Sequence, residues 1–385
     1  MATPQLISAT ADLDSWKNEI SQSLKADLQE YIYGYLPDDQ STILENKRAV
    51  SDSAFNETAR VDEYLIKASA VFDEVESAVP SFNMVLISPA KANGPVPVIL
   101  MQTFCPNHST VPVEGVSIPA NINYSCDGGG IGGKLMTFIF GRYIATPPFE
   151  DILKRGFAVA TIFPSEYVPD NSNSGLKALK ELSPGHDDDE TRWGAIAAWA
   201  WGYGRMIDAI EKDDKFNASS YFAYGHSRYG KSALLAAVFD DRIDGVISHQ
   251  SGTGGASLNK EKKGESVGEI TETYPHWFSN KYASYSDRET EMPIDQHAVL
   301  ALIAPRPIFL GNARRDVWSD PNGAFRAAQG ASAIYKLYNK QGLNQDKLKP
   351  FIPENDISFY IRKGTHGVVK EDWPAFLDFL DAHAE

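Results

Sequence analysis

The stretch that most constrains this chain runs from Tyr221 to Phe239. Tyr221-Phe222-Ala223-Tyr224 reads as a short strand, and Ser232-Ala233-Leu234-Leu235-Ala236-Ala237-Val238-Phe239 reads as a helix. The chain must therefore turn sharply through Gly225-His226-Ser227-Arg228-Tyr229-Gly230. Gly225 and Gly230 allow that bend without Cβ clashes. A serine at the apex of such a strand–turn–helix unit is held out where its hydroxyl can attack an electrophile. The next residue, Arg228, stands where its backbone N–H can face a developing oxyanion. The same residues have a rival reading, because Gly225 to Ser232 also spells G-x-x-x-x-G-K-S, the pattern of a phosphate-binding loop.

The rest of the chain decides between the two. Residues 11–36 read as a helix capped by Asp12 or Asp14, with Ile20, Leu24, Leu28 and Ile32 at helical spacing, ending at Tyr33-Gly34-Tyr35-Leu36-Pro37. From Lys47 to Ser88 the alternation becomes strand-like, and Pro95 to Met101 reads as a buried strand. Further strands are expected at Phe157–Ile162, Gly245–Ser248, Pro307–Leu310 and Ile357–Ile361, with helices at Trp193–Lys212 and Glu371–His383. Strands alternating with helices imply a three-layer α/β sandwich with a mostly parallel central sheet. No repeat, low-complexity tract or linker interrupts it. One domain over residues 1–385 is expected, with an N-terminal helical extension to about residue 45.

A phosphate loop normally opens its domain, whereas this one follows several strands. No aspartate stands directly at the end of a later strand to hold magnesium, and Arg228 and Tyr229 would crowd phosphate. A second glycine-rich run, Gly128-Gly129-Gly130-Ile131-Gly132-Gly133, lacks a strand feeding it and reads as a surface loop. The acidic run His186-Asp187-Asp188-Asp189-Glu190 lacks the spacing of a calcium loop and reads as a solvated stretch.

Composition narrows the partners. The chain has 385 residues and a net charge of −15, which argues against nucleic acid and anionic membrane. No apolar run of about eighteen residues is present, so no membrane-spanning helix is expected. The first residues, Met-Ala-Thr-Pro-Gln, carry no signal-peptide pattern. Two cysteines, Cys105 and Cys126, are too few for a disulfide framework or a cysteine zinc site, and are expected to be unpaired. Oligomeric state is left open, with a monomer as the default.

A serine needs a base, and the base needs an acid to orient it. His366, in Gly364-Thr365-His366-Gly367, follows the last strand. Asp316 follows the strand Pro307–Leu310. Ser227, Asp316 and His366 thus run in the chain order of α/β-hydrolases. One detail departs from the usual G-x-S-x-G elbow: the second glycine comes one residue late.

With that departure, Gly225-His226-Ser227-Arg228-Tyr229-Gly230-Lys231 resembles the G-x-S-R-x-G-K elbow of the glucuronoyl esterases, carbohydrate esterase family fifteen. The resemblance extends to Tyr33–Pro37, Trp193–Ile196, Ser251-Gly252-Thr253-Gly254-Gly255-Ala256, Tyr274-Pro275-His276-Trp277-Phe278 and Asp316–Pro321. It implies an α/β-hydrolase fold and a serine esterase acting on a carbohydrate ester, that of 4-O-methylglucuronic acid with a lignin alcohol. It implies no metal and no cofactor, and a secreted or periplasmic setting. By position, it implies that Ser227 is the nucleophile and His366 the base, and that Arg228 stabilises the oxyanion through its N–H and guanidinium. Lys231, Glu265 and Trp318 are implied as sugar-binding residues. Many relatives carry a catalytic glutamate where this chain has Gln250, and the resemblance then implies Asp316 as the acid. Glutamine at that position keeps open a broader esterase acting on acetylated sugars or other small esters.

Each residue also has a plainer reading. Arg228 could be an ion-pair partner, Lys231 and Glu265 exposed surface charges, and Trp318 core packing. Asp320 is a second candidate acid, but with Pro321 after it, it reads as a helix cap. His276 reads as structural, and His226 is expected to point away from the serine. Asn107 and His108 stand where they could shape an oxyanion loop.

Overall fold

A computed structural model of the chain describes residues 5–6, 12–92, 94–119 and 140–384. Cys126 and the glycine run 128–133 lie outside the described residues. The strands are β1 (Asp39–Ser53), β2 (Ala59–Phe72), β3 (Val75–Pro89), β4 (Val96–Gln102), β5 (Ala158–Ile162), β6 (Ala218–His226), β7 (Gly245–His249), β8 (Ile308–Ala313) and β9 (Ile357–Arg362). They form one sheet in the order β1-β2-β3-β5-β4-β6-β7-β8-β9. The first three pair antiparallel, and β3 meets β5 antiparallel. From β5 across to β9 every pairing is parallel.

Successive side chains on a strand face opposite ways, so a sheet covered on both sides must be apolar on both. Val98 and Leu100 of β4 pack into one core, while Ile99 and Met101 pack into the other. Helices Ala195–Glu211, Arg228–Phe239, His297–Ile303 and Pro321–Leu337 cover the first face. Helices Phe149–Lys154 and Asp372–His383 cover the second. These two helical layers about the sheet make the three-layer α/β-hydrolase sandwich.

The small-residue face of Ala195–Glu211 has a steric cause. A Cβ on Gly202 would stand 2.2 Å from the Tyr167 hydroxyl, so the helix could not lie where it does with a larger residue there.

The helical N-terminal segment is shorter than expected. It begins after the Asp12 capping box and stops at Tyr33, where Gly34 takes φ +79 against the backbone of Arg192. β1 then starts at Asp39, not near Lys47, so the boundary near residue 45 is corrected. The helix Ser172–Leu182, inside a presumed loop, was not anticipated, whereas the helix Pro321–Leu337 follows the cap expected at Asp320. Asp320 does cap the latter, accepting the Gly323 N–H at 3.1 Å. Cys105 is disulfide-bonded, against the expectation of unpaired thiols.

The N-terminal helical turns are part of the core. Leu28, Ile32 and Tyr33 are buried, and the Tyr33 hydroxyl donates to Gln296 Oε1 at 3.0 Å. Ile32→Ala should therefore lower unfolding free energy by about 2–5 kcal/mol. Denaturant melts of both proteins check this; an unchanged midpoint would mean the segment is not integral to the fold.

Candidate active site

Parallel strands bring their carboxyl ends to one edge of the sheet, where the following loops can converge. β6, β8 and β9 end there, and they deliver Ser227, Asp316 and His366 respectively.

Ser227 lies between β6 and the helix Arg228–Phe239 with φ 56 and ψ −124, a conformation costly for any residue with a side chain. Its backbone N–H is held by the His249 carbonyl at 2.8 Å, so the neighbouring strand β7 pins the bend. A Cβ on Gly225 would stand 1.8 Å from the Tyr229 carbonyl oxygen, which explains glycine there. Gly230 sits against Ser251 and Ser248, so the late glycine serves the packing of the helix on β7. Arg228 opens the helix, and its N–H is among the first-turn groups without an intrahelical acceptor, at the positive end of the helix dipole.

His366 Nδ1 lies 2.7 Å from Asp316 Oδ2 across 50 residues of chain. Asp316 is buried and also accepts the Ser319 N–H. Burial works to raise its pKa, but the hydrogen bond and charge of His366, with Ser319, hold it below the ordinary carboxylate value. It is thus an anion facing the imidazole.

Ser227, Arg228, Lys231, Glu265, Asp316, Trp318 and His366 all line one cavity of about 370 Å³. Trp318 is 58% exposed and stands at its rim, which removes the core-packing reading. Gly264 approaches the Val317 and Trp318 carbonyls so closely that a Cβ would stand 2.7 Å away, and the Glu265 N–H donates to the Trp318 carbonyl. This backbone contact joins carboxylate and indole into one wall.

Lys231 is buried rather than exposed. Its ammonium donates to the carbonyls of Ser251 and Thr253, which leaves the third of its N–H bonds unused by them. Burial pushes its pKa down to about 7, with the charge of Glu265 pulling it back up. Ser232 is also buried, donating to Gln102 Oε1. The lysine and the hydroxyl that a phosphate loop would aim at its ligand are thus engaged inside the protein, against that reading.

Arg228 has both features weighed from the sequence. Its guanidinium is ion-paired with Asp170 and lies over Trp277, 4.9 Å from the ring centroid, yet it lines the cavity. Asp170 also takes Trp277 Nε1 at 2.9 Å and meets His276 Nε2 at 3.0 Å. Tyr274 stacks on Trp277 with centroids 3.7 Å apart, completing an aromatic wall.

Some participants were missed. Asp170 carries no local signal, since it lies in a loop far from the other residues in sequence. His226 does not point away from the site: it lines the cavity and packs on the His366 ring, centroids 4.7 Å apart. Gln250 lends Oε1 to the Gly367 N–H at 2.8 Å and so contacts the His366 loop through backbone. Asn107 is turned inward to Asn83 and Thr161. In the acidic run, Asp188 accepts from Glu190 and Thr191, and Asp189 pairs with Arg192. Among the described residues no group of three or more His, Cys, Asp or Glu is arranged to hold a metal ion. No helix among them is long and apolar enough to cross a membrane.

Comparison with known proteins places this geometry. Residues 162–339 match the family model described as glucuronyl esterase, fungi. The chain is 31% identical to carbohydrate esterase MZ0003 of an unknown prokaryotic organism, over 96% of this chain and 84% of that protein. It is 29% identical to the 4-O-methyl-glucuronoyl methylesterase of Schizophyllum commune, over 71% and 69% of the two chains. A solved structure described as a promiscuous CE15 esterase from a marine bacterial metagenome superposes with a TM-score of 0.84. That match has 29% identity over 99% of this chain and 97% of the other.

One acid-sensitive group lies behind the aromatic wall. Burial first, and the Arg228 charge second, push His276 from 6.5 down to about 4, against the Asp170 carboxylate 3.0 Å from its Nε2, which favours the charged ring. Between those values the unfolded chain binds a proton that the folded one refuses, so stability falls as pH drops through that window. His276→Asn should remove this component. Between pH 6.5 and 4 the stability difference should move in the variant's favour by up to about 3 kcal/mol, at about 1.4 kcal/mol per pKa unit. Unfolding curves at the two pH values that shift equally for both proteins would refute it.

Proposed function

The chain belongs to carbohydrate esterase family fifteen and is a carboxylic ester hydrolase, and on that premise we propose that it cleaves esters of 4-O-methylglucuronic acid through an acyl-enzyme. The observation that carries this reading is the convergence of Ser227, His366 and Asp316 on a cavity walled by Lys231, Glu265 and Trp318. Ser227 Oγ attacks the ester carbonyl while His366 takes its proton. The Asp316 carboxylate stabilises the imidazolium that results. The carbonyl oxygen becomes an anion facing the Arg228 N–H at the helix start, with the guanidinium beside it. His366 then gives the proton to the departing alcohol. Water, deprotonated by the same imidazole, releases the uronic acid and frees the serine.

Substrate recognition follows from the wall opposite. A free N–H of Lys231 and the Glu265 carboxylate suit the hydroxyls of a sugar ring, and the exposed face of Trp318 suits its C–H face. The resemblance of the chain to a 4-O-methyl-glucuronoyl methylesterase supports a uronate in that position. We read the chain as one catalytic domain, working on a carbohydrate ester without nucleic acid or metal.

Gln250 favours a second reading, a broader esterase accepting acetylated sugars or other small esters. It is neutral where many relatives carry an acid, and it leaves Asp316 as the carboxylate on the imidazole. A similar protein described as promiscuous supports this alternative.

A substrate panel of methyl and benzyl glucuronate with acetylated xylan fragments separates the two. On the first reading, kcat/KM for the uronate esters should exceed that for the acetyl esters by at least about tenfold, about 1.4 kcal/mol. Ser227→Ala should lower turnover by at least about 10⁴-fold, and Asp316→Asn by about 10³- to 10⁴-fold. Undiminished turnover in Ser227→Ala would end the serine mechanism.

A further inference from the structure

The loop that carries His366 has no helix or strand of its own, yet its backbone is bound from within at several points. Arg362 ends β9 and is buried. Its Nη1 donates to the carbonyls of Lys363 at 3.0 Å and Thr365 at 3.1 Å, and its Nη2 donates to the Gly367 carbonyl at 2.7 Å. Those carbonyls flank His366 on both sides. Nε donates to Asp372 Oδ1 at 2.8 Å. The other oxygen of Asp372 accepts the Val369 N–H at 2.8 Å, closing the far end of the loop.

We propose that Arg362 and Asp372 are positioning residues for His366: one buried ion pair moulds the loop so that the imidazole meets Asp316 in the cavity that Ser227 also lines. The proposal rests on the reading of His366 as the base. Two arguments favour geometry over bulk stability as the role of this pair. A buried ion pair adds little net stability over apolar packing, because desolvation offsets its attraction. A planar guanidinium, by contrast, can bind several carbonyls in one rigid plane at once, where an ammonium has three donors on a single rotating nitrogen.

The same pair reaches His366 by a second route. His249 Nε2 faces Asp372 Oδ1 at 3.5 Å, and His249 Nδ1 lies 3.0 Å from Nδ1 of His226. His226 thus reaches Asp372 through one intervening imidazole and packs against the His366 ring, centroids 4.7 Å apart. Burial, and next the charge of His366, keep it neutral by pushing its pKa well below 6.5. The base thus rests on an uncharged ring that is linked to Asp372 through His249.

Arg362→Lys keeps the charge but cannot fork to three carbonyls, and Asp372→Asn keeps the shape but removes the charge. Both variants would be assayed on benzyl glucuronate, and their serine would be titrated with a fluorophosphonate, which needs the base but not the sugar wall. In each, kcat and the labelling rate per titrated site should fall by about ten- to a hundredfold with KM within about twofold, the scale of a misplaced catalytic group. A merely structural role would instead lower the titre and leave the rate per site unchanged, and that result overturns the proposal. Should Arg362→Lys not fold, Asp372→Asn decides alone. A wild-type protein that resists labelling would overturn the reading of His366 as the base, and this inference with it; labelled wild type with equally fast variants overturns this inference only.

Discussion

The hydrogen bond from the Ser227 N–H to the His249 carbonyl ties the reactive bend to the sheet. A serine at φ 56 would relax into an ordinary conformation if its surroundings allowed it. Strand β7 on one side and the close approach of Gly225 to the Tyr229 carbonyl on the other leave it no room to do so. The helix that follows therefore starts at one place only, with its unsatisfied N–H groups beside the serine hydroxyl. The cavity, its positive end and the placement of the serine hydroxyl are all consequences of this one bend.

Around it, ionisable side chains meet in compensating sets. Asp316 faces His366, Arg228 faces Asp170, and Arg362 faces Asp372. A carboxylate buried alone at such depth would take up a proton, but Asp316 beside His366 and Ser319, and Asp372 beside His249 and Arg362, are held below the ordinary carboxylate value. Lys231 shows the other case: burial pushes its pKa down to about 7, although its nitrogen donates to two backbone carbonyls and the Glu265 charge pulls it back up. The site is thus a place where ionisation is set by neighbours and not by solvent, which suits acid–base chemistry at neutral pH.

Much of this was legible from residues alone, where the signal is local. The runs 96–101, 157–162 and 245–248 read as buried strands because a sheet covered on both faces leaves few polar positions, here only Thr161 and Ser248. The elbow was legible because glycine, serine and glycine occur where a bend needs them. Short helices inside polar stretches, such as Ser172–Leu182, were not, since their apolar positions are few and tertiary packing supplies their stability. Asp170, which holds Arg228, and His226, which meets His366, were missed or misplaced for a different reason. Each acts through a partner more than fifty residues away, and nothing in its own neighbourhood marks it.

The sequence by itself determined the order of strands and helices, the two-sided burial of the sheet, the sharp bend at Ser227 and the order serine, aspartate, histidine along the chain. These depend on periodicity and on backbone freedom, which are properties of a few consecutive residues. Only the tertiary structure decided which side chains share the cavity, that Lys231 lies buried while Trp318 stands in the open, and how the loop of His366 is held. Those depend on which strands lie side by side: β7 beside β6 gives the elbow its hydrogen bond, and β9 beside β8 brings the imidazole to its carboxylate. Strand order is a long-range choice made by the whole core, and no stretch of the chain contains it.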